Sequence, residues 1–154
     1  MCVLHVTSET TSFSAFLRET GFPAYKSHEK GEVCTIGKRL PHDDYGFSSA
    51  VSEREWNDLE GQIEDAKTFL ITHEKTIRKM LSTHDVSDIR FDFPYYCRLN
   101  EQFFMQSDYL PPEFLKLAGE LMIGIELSLY PLSDEEDDSE PLAAPDAAPP
   151  RRRA

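Results

Sequence analysis

Between residues 103 and 130 the spacing of apolar residues changes twice, which predicts a strand, a helix and a second strand. The helical part, expected over 112–122, has apolar residues three and four positions apart, at Phe114, Leu117, Ala118, Leu121 and Met122. Proline at 111 and 112 suits its first turn, whose N–H groups have no partner in the helix. Gly124 is expected to end it in the left-handed conformation. The second strand has alternating apolar residues, at Ile125, Leu127 and Leu129, expected to face a core.

Shorter patterns of the same kinds precede this unit. Residues 2–7 predict a strand with Cys2, Leu4 and Val6 inward, and a helix of about two turns follows between Ser12 and Gly21. Residues 25–36 resemble a hairpin that turns at 29–32. Residues 47–51 and 86–93 predict two further strands, the second with Ile89, Phe91 and Phe93 inward.

A long helical segment is predicted to begin at residues 52–55, Ser-Glu-Arg-Glu, which match a capping box. Two positions repeat every seven residues along it, at Trp56, Ile63, Leu70 and Ile77 and at Leu59, Ala66, His73 and Met80. One helix, or two helices broken near Gly61 or Thr72, fit this stripe. Packing on the domain's own sheet is favoured over a coiled-coil dimer, because His73 occupies a seam position.

These patterns predict a single α+β domain over residues 1–132, with a largely antiparallel sheet of five or six strands. The sheet is expected to pack against the long helical segment and the C-terminal helix at 112–122. Residues 133–154 change character, with an acidic run, several prolines and terminal arginines, and predict a disordered tail.

The net charge of the chain limits the kinds of binding partner that are expected. The formal net charge is -12, and residues 133–154 hold seven acids and three arginines, or -4, which leaves -8 for residues 1–132. Such a field repels phosphate backbones, so nucleic acid is not expected as a partner, whereas a basic protein is.

The remaining composition points to a soluble protein. No apolar run approaches the roughly 20 residues that span a bilayer, and the first ten residues lack a signal-peptide pattern, so no membrane partner and a cytoplasmic location are expected. The three cysteines, Cys2, Cys34 and Cys97, are widely spaced and predict neither disulfides nor a zinc site. No catalytic, metal or cofactor motif occurs, and no cofactor is expected.

Two groups of residues are candidates for a functional surface. His42, Asp43 and Asp44 lie in a polar loop at 37–46, although turn formation explains these aspartates as well. Asp88, Asp92 and Asp108 lie on or beside predicted strands, where carboxylates do acid–base work if they face a cleft, although alternation places Asp88 and Asp92 on the solvent side. Asp92, Cys97 and Asp108 are the candidates near these strand ends.

Residues 2–131 also resemble a group of uncharacterised bacterial proteins of about this size. The resemblance lies in D-Y-L-P-P-E at 108–113, G-I-E-L-S-L-Y at 124–130 and the segment from Trp56 to Leu70. It extends more weakly to α+β domains found near toxin–immunity loci. It implies an α+β fold and assigns no catalytic residue.

Three functional hypotheses follow. The leading one is a non-catalytic, immunity-like protein-binding domain with an acidic surface. The second is a small enzyme whose site combines loop 37–46 with strand ends near Asp92, Cys97 and Asp108. The third is a structural homodimer through the stripe at 56–80; a monomer or a weak homodimer is expected.

Truncation after Leu132 is expected to leave the melting temperature nearly unchanged, because residues 133–154 lack the apolar side chains that offset the entropy of ordering. Thermal unfolding of full-length and truncated proteins in one buffer tests this. A loss of more than about 5 °C, or roughly 1 kcal/mol at this size, would mean that the tail docks on the domain.

Overall fold

Five strands and three helices form the described part of the chain, which in this computed structural model comprises residues 1–33, 40–99 and 104–131. In chain order they are β1 (Cys2–Ser8), α1 (Ser14–Thr20), β2 (Lys26–His28), β3 (Tyr45–Ser52), α2 (Leu59–Thr83), β4 (Asp88–Tyr96), α3 (Pro112–Glu120) and β5 (Gly124–Tyr130). The α+β class predicted from the sequence is confirmed. The predicted tail, 133–154, lies outside the described residues.

The strands form one mixed sheet in the order β2-β3-β1-β4-β5. Strand β1 lies at its centre and is antiparallel to both neighbours, so Leu4 pairs with Ser49 on one side and Phe91 on the other. β2 is antiparallel to β3, and only the β4–β5 pair, which α3 connects, is parallel. A mostly antiparallel sheet is therefore confirmed, with five strands in the described residues.

One face of the sheet packs against the helices. Its buried side chains include Cys2, Leu4 and Val6 of β1, as predicted, and Ile89, Phe91 and Phe93 of β4. Just before α1, Phe13 packs edge-on against Phe47 of β3, at 5.1 Å between ring centroids, and from α3, Phe114 packs edge-on against Phe93, at 5.8 Å. The core thus lies between the sheet and a single layer of helices.

Helix α2 is one unbroken helix of 25 residues, about 37 Å long. Its stripe is buried in the same core, at Leu59, Ile63, Ala66, Leu70, Ile77 and Met80. The domain's own sheet therefore covers these side chains, and they are not available for the homodimer of the third hypothesis.

Within the described residues, no helix combines the length and apolarity needed to cross a membrane.

The predicted capping box at 52–55 is wrong. Ser52 is the last residue of β3 and pairs with Cys2, because strand pairing outweighs the local helix signal. The helix begins seven residues later, where the Asp58 side chain caps it by accepting a hydrogen bond from the Gly61 N–H at 2.9 Å. Trp56 precedes the helix and packs against Tyr96 and Tyr130, with ring centroids 5.5 and 4.7 Å away.

Two predicted strands also require correction. β2 pairs with β3, and Lys26 lies opposite Ser48. Val33 forms an isolated bridge with Pro41, while 34–36, the rest of the predicted return strand, lie outside the described residues. The strand predicted at 103–106 is absent from its described part, 104–106.

Strand β5 does not bury the face that the sequence predicts. Ile125 packs on the core, but Leu127 and Leu129 are 36% and 50% exposed. β5 is an edge strand, and the contacts of α2 with the sheet fall on β3 and β4. The alternating pattern therefore predicted the strand correctly, but it did not predict that the helices leave Leu127 and Leu129 partly exposed.

Helix α3 ends differently from the prediction, because Met122, not Gly124, takes the left-handed conformation, with φ of 55°. The Met122 N–H donates to the Gly119 carbonyl at 3.0 Å and the Ile123 N–H donates to the Ala118 carbonyl at 2.9 Å, which is a Schellman motif. Gly124 is the first residue of β5.

Replacing Met122 with glycine is expected to stabilise the domain. Met122 is 82% exposed, so little packing is lost. Glycine removes a left-handed penalty of about 1–2 kcal/mol, against about 0.5–1 kcal/mol of added unfolded-state entropy, for a net gain on the order of 0.5 kcal/mol. Urea unfolding measures the change. Met122→Ala keeps the Cβ atom and serves as the control; an equal gain in both variants would contradict the argument.

Candidate functional site

A cleft of about 800 Å³ lies where the start of α2 meets the segment that follows β4. The side chains that give it charge are Arg54, Asp58, Glu60, Glu64, Arg98 and Asp108. The buried Gln62 side chain holds these parts together, because its amide nitrogen donates to the carbonyls of Glu55, at 3.2 Å, and Pro94, at 3.1 Å. α2, which lines the cleft, is therefore fixed to the end of β4, which leads to the cleft residue Arg98.

Asp108 is the most enclosed carboxylate of the cleft, with a side chain 14% exposed. It accepts hydrogen bonds from Arg98, from the Gln106 amide at 2.8 Å and from the Tyr95 hydroxyl at 3.1 Å. Burial works to raise the pKa of this carboxyl, but the three donors outweigh it and the pKa is lowered. Asp108 thus stays ionised near neutral pH and does not act as a proton donor there.

The negative charge of Asp108 also affects the groups around it. Burial and the hydrogen bond to Asp108 together raise the pKa of Tyr95. Cys97 lies just beyond β4, half-buried, and its backbone N–H donates to the Tyr130 carbonyl at 2.7 Å. The structure therefore brings Cys97 and Asp108 to one end of the sheet, although only Asp108 lines the cleft.

Asp92 lies apart from the cleft, on the sheet face opposite the helices. There it accepts a hydrogen bond from the Ser128 hydroxyl at 2.6 Å, and the neighbouring Arg90 pairs with Glu126 at 2.6 Å. His5 lies on the same face, where its Nδ1 is 3.0 Å from the Ser48 hydroxyl, and burial followed by the charge of Arg90 lowers its pKa. These contacts give Asp92 a structural role between β4 and β5.

His42 and Asp44 form a second cluster with His28, which the sequence did not single out. The rings of His28 and His42 stack with centroids 3.8 Å apart, and His28 Nε2 is 2.9 Å from a carboxylate oxygen of Asp44. Asp43 is exposed and outside this cluster. The signal that was missed is Gly46, since a glycine beside a strand marks a close approach, here of the His28 ring.

The two groups of predicted site residues do not come together. β3 and β4 run in the same direction, because both are antiparallel to β1. Asp44 immediately precedes β3 and Cys97 immediately follows β4, so they lie at opposite ends of the sheet with β1 between them. His42, Asp43 and Asp44 therefore do not lie together with Cys97 and Asp108.

Comparisons with known proteins add no assignment: no protein-family model, no curated protein and no solved structure matches the chain. The resemblance to small bacterial α+β proteins stays a prediction.

Asp108→Asn is expected to destabilise the domain by about 1.5–3 kcal/mol at pH 7, the range for hydrogen bonds to a charged group. Because folding lowers this pKa, the stabilisation is complete above the ordinary value of 3.8 and is lost as pH falls through the folded-state pKa. Urea unfolding at pH 7 and below 3.8 should show the difference from the unmodified protein shrinking in acid.

Asp88→Asn is the control, because Asp88 pairs with Arg90 while 44% exposed, and such a surface pair contributes about 0–1 kcal/mol. Equal effects of the two substitutions at pH 7, or an Asp108→Asn effect that grows in acid, would contradict the role assigned to Asp108.

Proposed function

We propose that this chain is a non-catalytic protein-binding domain whose acidic cleft receives a basic segment of a partner protein. The observation that carries the proposal is the charge of the cleft, where four carboxylates surround two arginines. The immunity-like role implied by the resemblance is one form of this function.

Both arginines of the cleft are already paired within the domain. Arg54 lies 3.5 Å from Asp58 and 3.2 Å from Asp65, and Arg98 pairs with Asp108. Their charge is therefore compensated, and they do not make the cleft attractive to anions. The sign of the cleft is decided by the carboxylates that remain.

Glu60 and Glu64 are the carboxylates that an incoming cation would meet. Both are exposed on the first two turns of α2. Glu64 contacts Lys67 at 2.6 Å, across the helix surface, while Glu60 has no ion-pair partner among the described residues. Lysine or arginine side chains of a partner would bind here, with the strength of attraction set by ionic strength.

Tyr109 adds an aromatic surface to the same cleft. It lines the cleft and is 74% exposed. An arginine or lysine placed over its ring gains about 0.5–1 kcal/mol from the cation–π interaction at an exposed site. Carboxylates beside an exposed tyrosine suit a basic side chain better than an acidic or apolar one. The excess negative charge of residues 1–132 would also raise the rate of encounter with such a partner.

Charge reversal in the cleft tests this function. A deca-lysine peptide serves as the probe, with deca-glutamate as its counterpart, and binding is measured by fluorescence anisotropy at increasing salt. The full-length protein should bind deca-lysine, less tightly as salt rises, and not deca-glutamate. Glu60→Lys/Glu64→Lys should weaken binding at least about tenfold, or roughly 1.4 kcal/mol.

Glu19→Lys/Glu120→Lys is the matched control, because it changes the net charge equally at two exposed sites outside the cleft. It should weaken binding much less than the cleft variant. Equal weakening in both variants would show a response to overall charge rather than a docking cleft, and the proposal would fail.

A further inference from the structure

We infer that His28, His42 and Asp44 form a binding site for a divalent transition-metal ion such as Zn²⁺. A ring nitrogen of each histidine and a carboxylate oxygen of Asp44 lie within 4.8 Å of one another, and all three residues are half-buried. The site lies at the opposite end of the sheet from the acidic cleft, so the inference does not depend on the proposed function.

His28 is held in place by the strand it ends. It is the last residue of β2 and lies opposite Gly46 of β3. A Cβ atom at position 46 would come within 2.5 Å of His28 Cε1 and 3.0 Å of the Val6 carbonyl oxygen, so any larger residue would displace the ring. Because residue 46 is glycine, the His28 imidazole packs directly against the backbone of β3.

His42 is held by its backbone. Its N–H donates to the Glu32 carbonyl at 2.9 Å, and its carbonyl accepts from the Gly31 N–H at 2.7 Å. The turn that carries these groups is itself anchored to the start of α1, because Glu29 accepts hydrogen bonds from the hydroxyls of Ser12 and Ser14 at 2.7 and 2.5 Å. Three segments distant in sequence therefore converge on the cluster before any ion binds.

The distances fit an ion after a small movement. Two ligand atoms on one Zn²⁺ ion lie at most about 4.2 Å apart, since each bond is about 2.1 Å. His28 Nε2 and Asp44 Oδ1, at 2.9 Å, already meet this limit, and all the ligand atoms lie within 4.8 Å of one another, so binding requires them to approach by at most about 0.6 Å. Zn²⁺ binds imidazole and carboxylate in their deprotonated forms, so the hydrogen atom of the His28–Asp44 hydrogen bond passes to solvent as a proton when the ion binds.

The donor set selects the class of metal. Two imidazole nitrogens and one carboxylate oxygen suit Zn²⁺, Co²⁺, Ni²⁺ and Cu²⁺, whereas Mg²⁺ and Ca²⁺ prefer oxygen ligands throughout. Three protein ligands leave a fourth position of tetrahedral Zn²⁺ for water or another ligand. The absence of a ligand-spacing motif in the sequence is consistent with a site assembled from separate segments.

Zinc binding to the full-length, tag-free protein tests the inference. Competition with a chromophoric chelator should show one equivalent of Zn²⁺ bound, unaffected by excess Mg²⁺. His28→Ala, His42→Ala and Asp44→Asn should each weaken binding at least about tenfold, since even residues that only support metal ligands contribute that much. Asp43→Asn, which alters the adjacent exposed carboxylate, should leave the affinity unchanged.

Two further variants establish whether the ion binds at this cluster or at the thiols. Gly46→Ala should weaken binding by displacing His28. Circular dichroism and a cooperative melting transition without Zn²⁺ confirm that each variant is folded, and only variants that bind the ion should melt at a higher temperature when Zn²⁺ is added. Cys34→Ser/Cys97→Ser should retain full affinity. The inference is overturned if the unmodified protein binds no Zn²⁺, if the histidine and Asp44 variants bind normally, or if the cysteine variant loses binding.

Discussion

Burial of the α2 stripe against the sheet, where the helix contacts β3 and β4 on either side of the central strand, is the constraint on which the rest of this structure depends. Leu4 of β1 and Ile77 and Met80 of α2 are fully buried, and the sheet face that accepts the helix is the one that Leu4 occupies. Because the helices cover that face, charged groups lie on the opposite face of the sheet, at its two ends and on the outer surfaces of the helices. The acidic cleft and the histidine cluster lie at those two ends.

The two ends differ in how they compensate polar groups. At the cleft, Asp108 is surrounded by donors and its charge is fixed by Arg98, Gln106 and Tyr95. At the other end, His28 and His42 stack on each other with a single carboxylate nearby. The first arrangement is a hydrogen-bonding network around one carboxylate with further carboxylates beside it, while the second is the set of two imidazoles and one carboxylate that we propose as a metal site.

Sequence periodicity predicted the helices and strands whose burial follows from the spacing of apolar residues within one segment of the chain. The strand alternation around Phe91 and the helical stripe from Leu59 to Met80 record burial directly, so the core was predictable. Pairing between distant segments was not. Ser52 resembles a helix cap until β1 is known to lie beside it, and His28 resembles a hairpin residue until β3 is known to be its partner. For the same reason the candidate site was only half found: His42 and Asp44 were named, and His28 was not.

The central position of β1 also sets the order in which this chain is able to fold. Val3 is paired with Ala50 on one side and with Asp92 on the other, so both partners are far along the chain. Contacts of such long separation slow folding, because a long loop must close before they form. During synthesis β1 leaves the ribosome before β3, α2 and β4, so its apolar face stays exposed until the helices that cover it have emerged, and one of its edges stays unpaired until β4 follows. A chaperone that binds β1 before its partners emerge would therefore bind a strand that is almost completely buried in the native state.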